Sequence, residues 1–480
     1  MRGCKDGMEA PLQELRVMTP GAAATAGAVA PVPVPGVLRV AFHTLGCRLN
    51  QYDTESIRLR LSEACAVQVV TWNEPADLYV LNSCTVTAKA EHECRRLARQ
   101  AKQRHPGCKV VVAGCYAQTG PDALAAIAEI DGVVGNTLKE DVAAWLPAVM
   151  TGEGSRVHSR AFAADEPFTA PVVDAFPGRS RAFVKIQDGC DLRCTYCAIW
   201  QARGPGRSRT ADDVVAQLAQ LRAAGYREAV LAGVHLGGWG RDLDTDANGS
   251  RDRLPDLLQR VLAELPDLRL RLSSIHPNEV RAPLLEMYAR EPRLRPHLHL
   301  SLQSGSDDVL RRMKRPYRAA GARRAVDDVA ALGGDFGIGA DFIVGFPGET
   351  DAEFNDTLQL VEQHAFSYVH VFRYSARPGT VAAQMTVSVP PSVISERAAA
   401  LREASGRKRA AFRSALLGSQ REAIVEHGTD LPGFHQATTD NYETVMIPAV
   451  PGDGLGPGAL VTVRPDHEQD GRLFAATVQG

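Results

Sequence analysis

Short apolar runs alternate with polar, helix-spaced stretches along most of the chain. VLRVAFHTLGC, DLYVLNSC and KVVVAGC each read as a strand emptying into a loop, with helices predicted over Tyr52 to Glu63 and over the basic stretch Lys89 to Arg104. Strands alternating with helices predict an open parallel α/β sheet, whose ligands sit beyond the carboxyl ends of the strands. Cys47, Cys84 and Cys115 fall at those ends, one after each strand. Between Gly152 and Gly178 the periodicity is lost and Pro167, Pro171 and Pro177 mark a linker. A second series follows: AFVKIQDG, EAVLAGV, LRLRLSSI, HLHLSL, FGIGADFIVGF and YVHVFRYS, separated by helical stretches such as Ala211 to Ala224 and Asp351 to His364. Six such units predict a partial (β/α) barrel with its chemistry on the loops after the strands. An Ala/Arg-rich helix from Glu396 then leads to REAIVEH, YETVMIPAV, ALVTVRP and RLFAATV, short strands between Gly, Pro and Asp turns that predict a small β-barrel. The expected organisation is an extension over residues 1–36, an α/β domain over 37–151, a linker over 152–177, a barrel over 178–395, a linking helix over 396–414 and a β-barrel over 415–480.

Length agrees with that plan, since 480 residues suit about three domains of roughly 100–200 residues each. Hydrophobic residues at 45% and charged residues at 23% exclude a mainly disordered or fibrous chain. No run approaches the ~18 apolar residues of a membrane span, so no membrane partner is expected. The opening 36 residues are rich in Ala, Gly, Pro and Val, but Asp6, Glu9, Glu14, Pro31, Pro33 and Pro35 interrupt any signal-peptide core, so they are expected to be a disordered extension. The expected setting is therefore the thiol-reducing cytoplasm, where ten cysteines need a purpose other than disulfides.

Cys190, Cys194 and Cys197 form C-x3-C-x2-C directly after a predicted strand. Three thiolates so spaced can hold three corners of an iron–sulfur cube and leave the fourth iron open. The competing reading, structural zinc, wants four closed protein ligands, and the loop offers no fourth Cys or His. Cys47, Cys84 and Cys115, with 36 and 30 residues between them, suit convergence from three strand ends, or else serve as small packing hydrophobes. Cys65 and Cys94 are expected in helix packing, Cys108 in a turn beside Pro106 and Gly107, and Cys4 in the extension. His92 and Cys94 do not share a helix face.

GCDLRCTYCAIW resembles the radical S-adenosylmethionine signature, with Tyr196 as the aromatic residue before the last cysteine. The resemblance implies that Cys190, Cys194 and Cys197 bind a [4Fe-4S] cluster whose open iron chelates S-adenosylmethionine for reductive cleavage to a 5′-deoxyadenosyl radical. TLGCRLNQYDTE, NSCTVT and AGCYAQ resemble the cluster motifs of the methylthiotransferase family. That resemblance implies a second [4Fe-4S] cluster on Cys47, Cys84 and Cys115, implicated in sulfur delivery, and a reducing partner such as flavodoxin or ferredoxin. ARGPGRSR, LAGVHLGGWG, SSIHPNEV, LHLSLQSGSDDVLRRMKRPY, ADFIVGFPGETDAEF and HVFRYSARPGT read like the branch that methylthiolates N6-threonylcarbamoyladenosine beside the anticodon of tRNA. Carried over by position, Gly233 and His235 are expected near the methionine end of S-adenosylmethionine, Ser274 and Gln303 in the cleft, and Gly345 close to adenine. The alternatives are the same chemistry on isopentenyladenosine or a ribosomal-protein side chain, and, in another class, a non-catalytic RNA-binding metalloprotein.

The final β-barrel resembles the TRAM domain, which holds tRNA in relatives, yet its charge departs from that role. Between Ala415 and Gly480 three arginines and no lysine stand against nine acids, although the whole chain carries a formal net charge of only −2. Phosphate attraction is therefore expected elsewhere: in Arg95, Arg96, Arg99, Lys102 and Arg104, in RRMKRPYR, and above all on the linking helix, at Arg407, Lys408 and Arg409. Phe434 and Tyr442 are expected as base-stacking groups.

Overall fold

The computed structural model describes residues 17–18, 36–244, 253–450, 452 and 454–478. By its own packing the chain forms two units: one runs to Gly178 and takes back Asp188–Leu192 and Cys197–Arg207, and the other comprises Arg179–Gln187, Arg193–Tyr196 and Ser208 onward.

The first unit is built on a sheet of β1 (Val17–Met18), β2 (Leu38–Thr44), β3 (Val67–Val70), β4 (Leu78–Ser83), β5 (Lys109–Gly114), β6 (Gly132–Val134) and β7 (Val157–His158), in the order β1-β3-β2-β4-β5-β6-β7. All neighbours pair in parallel except β1, which is antiparallel to β3. The continuous apolar runs of β4 and β5 follow from burial on both faces. Leu78 and Val80 enter one core with Ile57, Leu61 and Trp145, and Tyr79 and Leu81 enter the other with Leu97, Val110 and Val112. Helices α1 (Arg48–Ala64) and α2 (Ala88–Arg104) supply the crossovers. The Thr87 hydroxyl caps α2 by accepting from the Ala90 amide.

Two expectations are corrected here. Residues 152–177 are not a bare linker: β7 extends the sheet, and the Tyr52 hydroxyl donates to the Pro171 carbonyl at 2.6 Å. Within the expected extension, Val17–Met18 form the edge strand β1, and the rest of residues 1–35, Cys4 included, lies outside the described residues.

The second unit holds the six expected barrel strands in two parallel arcs. One arc is β8 (Ala182–Lys185), β9 (Glu228–Ala232) and β10 (Arg269–Leu272), and the other is β11 (Ser274–Ile275), β12 (His297–Gln303), β13 (Gly337–Val344) and β14 (Tyr368–Arg373). The single strand expected over LRLRLSSI breaks at Ser273, whose amide donates to the Leu231 carbonyl, so β10 pairs with β9 and β11 with β12. Alternation fixes the two faces. Buried Leu298 and Leu300 lie on one face and His297 and His299 on the opposite, inner face, before the register shifts between Leu300 and Gln303.

Helix α5 (Pro391–Leu416) leads into a closed barrel of β15 (Arg421–Val425), β16 (Phe434–Thr439), β17 (Thr444–Pro448), β18 (Leu460–Gln469) and β19 (Arg472–Thr477), one strand more than the pattern predicts, β16 being the addition. Four of its acids are paired with arginines. Arg269 and Arg295 donate to Glu422, Arg181 to Glu426, Arg409 and Arg413 to Glu443, and Arg421 pairs with Asp440. Arg269, Arg295 and Arg181 lie at or just before the amino ends of barrel strands, so the acidic barrel is matched to the basic end of the (β/α) barrel.

Several of the expected RNA-binding cations also have partners within the fold. Arg407 pairs with Glu403 and Glu362, Lys408 donates to the His364 carbonyl, and Arg409 holds Glu443. In RRMKRPYR, Arg312 is held by Glu353 and Arg315 points inward to Ser301 and Cys194. Tyr442 is also committed within the fold, 4.4 Å from the His297 ring and beneath the Arg271 guanidinium at 5.2 Å. Phe434 packs edge-on against Phe474, beside exposed His467.

Candidate active site: two cysteine centres

In the first unit three strand ends deliver one thiol each. Cys47 caps the start of α1 after β2, Cys84 follows β4, and Cys115 opens the short helix α3 (Cys115–Thr119) after β5. Two glycines make the approach possible. Gly46 has φ +100°, and a Cβ there would fall 2.8 Å from Cys84 Sγ. Gly114 has φ +93°, and a Cβ there would meet Asn82 Oδ1 at 2.3 Å. Cys84 and Cys115 are buried and Cys47 is exposed, leaving the group open on one side. Burial first, and then the charges of Cys115 and Cys47, push the Cys84 thiol up to about 12. Loading with metal must therefore displace protons.

The polar lining is supplied by residues that the sequence reading passed over. Asn50 Nδ2 donates to the carbonyls of Leu45 and Ser83, tying α1 to the loops after β2 and β4. Asn136 Nδ2 lies 3.5 Å from Cys115 Sγ. Buried Arg203 donates to Asn50 Oδ1 and Asp53 Oδ2, both at 2.8 Å, and to the Asp188 carboxylate at 3.0 and 3.1 Å. Lys139 closes on Asp53 at 2.7 Å. Arg203 thus lends positive charge to the Cys47–Cys84–Cys115 centre while tying down both ends of the Cys190–Cys197 loop, between Asp188 before it and α4 (Ile199–Arg203) after it. The signal in the sequence was N-Q-Y-D, whose Asn50 and Asp53 are three apart on one helix face.

The second set lies in the loop after β8. The Cys190 amide donates to the Gly204 carbonyl at 3.0 Å, and Cys197 Sγ accepts from the Ile199 amide at 3.4 Å. Cys194 Sγ, buried, receives the Arg315 guanidinium at 3.4 Å. The Thr195 amide and hydroxyl bind the Met313 and Arg312 carbonyls, and Tyr196 stands edge-on to Phe346.

Gly233, His235, Gln303 and Gly345 lie at or just after the carboxyl ends of their strands, whereas Ser274 opens β11 beside His299. Gly233 follows β9 and faces the Gln187 side chain, whose Oε1 accepts from the His235 amide at 2.7 Å. His235 Nε2 lies 2.5 Å from Glu279 Oε1, and its ring stacks on His276 at 4.7 Å. Burial, then Arg315, His235 and Arg241, holds His276 well below its ordinary value, so it is neutral near pH 7. Ser274 Oγ pairs with His299 Nδ1 at 2.8 Å. Gln303, buried at the end of β12, has φ 67°, a conformation kept in non-glycine residues only where its surroundings impose it. Gly345 has φ 75°; its amide donates to Glu349 Oε2, and a Cβ there would meet Ile394 at 2.4 Å, so close packing of α5 accounts for this glycine.

The donor sets fit iron–sulfur clusters. All nine cysteines of the described residues are free, and no group of three metal-ligand atoms within 4.8 Å of one another among those residues includes a cysteine. A single zinc with bonds of about 2.3 Å needs sulfurs only about 3.8 Å apart. Cys47, Cys84 and Cys115 sense one another's charge without that closeness, as a multi-iron cluster requires.

Comparison with known proteins agrees with this arrangement. Residues 184–361 match the model of the radical SAM superfamily, and residues 39–135 match that of the uncharacterized protein family UPF0004. The chain is 39% identical over 389 residues to the threonylcarbamoyladenosine tRNA methylthiotransferase MtaB of Thermotoga maritima, covering 81% of this chain and 86% of that protein. It is 36% identical to the MtaB of Bacillus subtilis, over 85% of this chain and 90% of that one. It is also 35% identical to the tRNA-2-methylthio-N(6)-dimethylallyladenosine synthase of Anaeromyxobacter dehalogenans, over 92% and 95%. Among solved structures, the radical S-adenosylmethionine methyltransferase TsrM of Kitasatospora setae shares the fold, with TM-score 0.53 and 15% identity over 72% of this chain and 77% of that one. With its two three-cysteine centres, its barrel and relatives above 30% identity along most of its length, the chain belongs to the radical SAM methylthiotransferase family, among the threonylcarbamoyladenosine tRNA methylthiotransferases.

Proposed function

We propose that this protein inserts a methylthio group at C2 of N6-threonylcarbamoyladenosine beside the anticodon of a tRNA, in the cytoplasm, with electrons from a flavodoxin- or ferredoxin-type donor. What supports the reading is the pair of three-cysteine motifs, C-x3-C-x2-C at Cys190, Cys194 and Cys197 and one cysteine after each of three strands at Cys47, Cys84 and Cys115, in a chain 39% identical to a threonylcarbamoyladenosine tRNA methylthiotransferase. When bound, two [4Fe-4S] clusters and S-adenosylmethionine supply a hydrogen-abstracting radical, methyl groups and sulfur. Cys190, Cys194 and Cys197 hold the barrel cluster, and Cys47, Cys84 and Cys115 hold the other. Gln187, through the His235 amide and the Gly233 turn, shapes the floor after β9 where the methionine end of S-adenosylmethionine is expected. Tyr196, Ser274, Gln303 and Gly345 border the same strand ends. Glu279 holds His235 in one orientation. Phe434, Phe474 and His467 form an aromatic face suited to stacking on RNA bases.

Mass spectrometry of tRNA nucleosides from a strain lacking the gene tests this reading. The methylthio form should vanish while threonylcarbamoyladenosine remains. Loss of methylthio-isopentenyladenosine instead would transfer the activity to the other tRNA substrate.

A further inference from the structure

Three adjacent strands of the second arc place a polar group on the inner face that neither cysteine centre uses. His299 of β12, Asp341 of β13 and His370 of β14 offer ligand atoms all within 4.8 Å of one another. Asp341 is the register partner of His370, and His299 is paired with Gly339 one step below. His370 Nδ1 and His299 Nε2 each stand 3.2 Å from Asp341 Oδ1. Ser274 fixes the other nitrogen of His299. The His299 Nε2 atom is buried yet makes no hydrogen bond of good geometry. Gly339 leaves room for the Tyr368 ring, which lies 5.8 Å from His299 and 5.1 Å from His370 and floors the group.

This group is reachable. The His370 side chain is 56% exposed, and Phe372, two residues along the same face of the edge strand β14, is also exposed. The inner wall of the second arc between β12 and β14 is thus a carboxylate flanked by two imidazoles over an aromatic floor. A solvent-open group of this kind suits a ligand that both donates and accepts: N–H groups for Asp341 and anionic oxygens for the imidazole N–H groups. An aliphatic ligand would strip water from all three side chains and return no hydrogen bond.

We propose that His299, Asp341 and His370 form the subsite that reads the polar substituent on N6 of the target adenosine, a ureido group ending in an amino-acid carboxylate. This inference rests on the threonylcarbamoyladenosine reading above and adds the residues that enforce it. The imidazoles take the carboxylate, Asp341 takes the ureido N–H groups, and Tyr368 supports the chain between them. An isopentenyl group offers these three side chains no hydrogen bond.

The test uses the full-length, cluster-loaded protein and anticodon stem–loops bearing threonylcarbamoyladenosine or plain adenosine at the target position. The readout is the ratio of the two dissociation constants, because misfolding weakens both alike. The parent is expected to prefer the modified stem–loop by about tenfold or more, as a charge-assisted contact is worth at least that. His370→Phe and Asp341→Asn should each bring the ratio close to one, with iron content checked in parallel, and His370→Gln should restore part of it. An unchanged ratio in both His370→Phe and Asp341→Asn overturns the subsite. A parent that shows no preference overturns the nucleoside reading, and the subsite with it, so the two failures are told apart.

Discussion

At the residue scale, the six motif cysteines differ in what holds them. Replacing Cys190, Cys194 and Cys197 together by Ala should roughly halve iron per chain and abolish S-adenosylmethionine cleavage, because no other thiol shares that loop. Replacing Cys47, Cys84 and Cys115 should also halve iron and remove the methylthio product, yet leave 5′-deoxyadenosine formation measurable. Full product from the second variant would reduce those cysteines to packing residues. Arg315 adds a charge to one ligand, since its guanidinium donates to Cys194 Sγ. A cation beside a ligand sulfur favours the more negative, reduced cluster. Arg315→Gln should therefore lower the reduction potential of that cluster by on the order of 50 mV, the equivalent of about 1 kcal/mol for one electron. Redox titration followed by electron paramagnetic resonance reads this shift, and an unchanged potential would show that the contact is only structural. The cysteines were legible because their spacing is local or tied to strand ends. Arg203 and Arg315 were not, because a buried arginine and a solvated one look alike until their partners are placed.

At the element scale, the cysteine centres depend on turns more than on helices or strands. Gly114 ends β5 with positive φ and has Asn82 Oδ1 where a Cβ would go. Gly114→Ala should cost on the order of 2 kcal/mol through backbone strain alone, and the displaced Cys115 should lower iron retention in the first unit. Gly107→Ala is the control, since nothing lies within 4 Å of its Cβ position. Equal iron content and equal melting temperature in the two variants would count against the turn argument. The long parallel strands were readable as apolar runs, whereas β3, β6 and β7, with four, three and two residues, are too short to show a period. The break at Ser273 was equally hidden, since a strand that changes partners keeps its own alternation.

At the scale of the whole molecule, the acidic β-barrel and the basic end of the (β/α) barrel share one buried network. Glu228 receives Arg271 at 2.7 Å and Arg295 at 2.9 Å, and Arg295 goes on to Glu422. Burial alone would raise the Glu228 pKa, but Arg271, Arg295 and Arg181 outweigh it and hold the carboxyl at about 2. A depressed carboxylate stabilises the fold above its ordinary value of 4.5 and loses that contribution as pH falls toward 2. The contribution is on the order of 3 kcal/mol. Urea unfolding of cluster-free protein, followed by tryptophan fluorescence, should show the parent losing stability as pH falls from about 4.5 to about 3, inside that window. Glu228→Gln should be less stable by on the order of 3 kcal/mol at pH 7, because it strands two buried guanidiniums, and should lose less on acidification. Parallel acid profiles would overturn the assignment. By itself the sequence determined the order of strands and helices, the two cysteine motifs and the family, because periodicity and motif spacing are properties of neighbouring residues. Only the tertiary structure decided which charges remain for a partner. Glu422 and Glu426 of the last barrel, part of a surplus when counted along the chain, are held by arginines more than a hundred residues away, and a Coulomb interaction depends on separation in space, which a linear count does not contain.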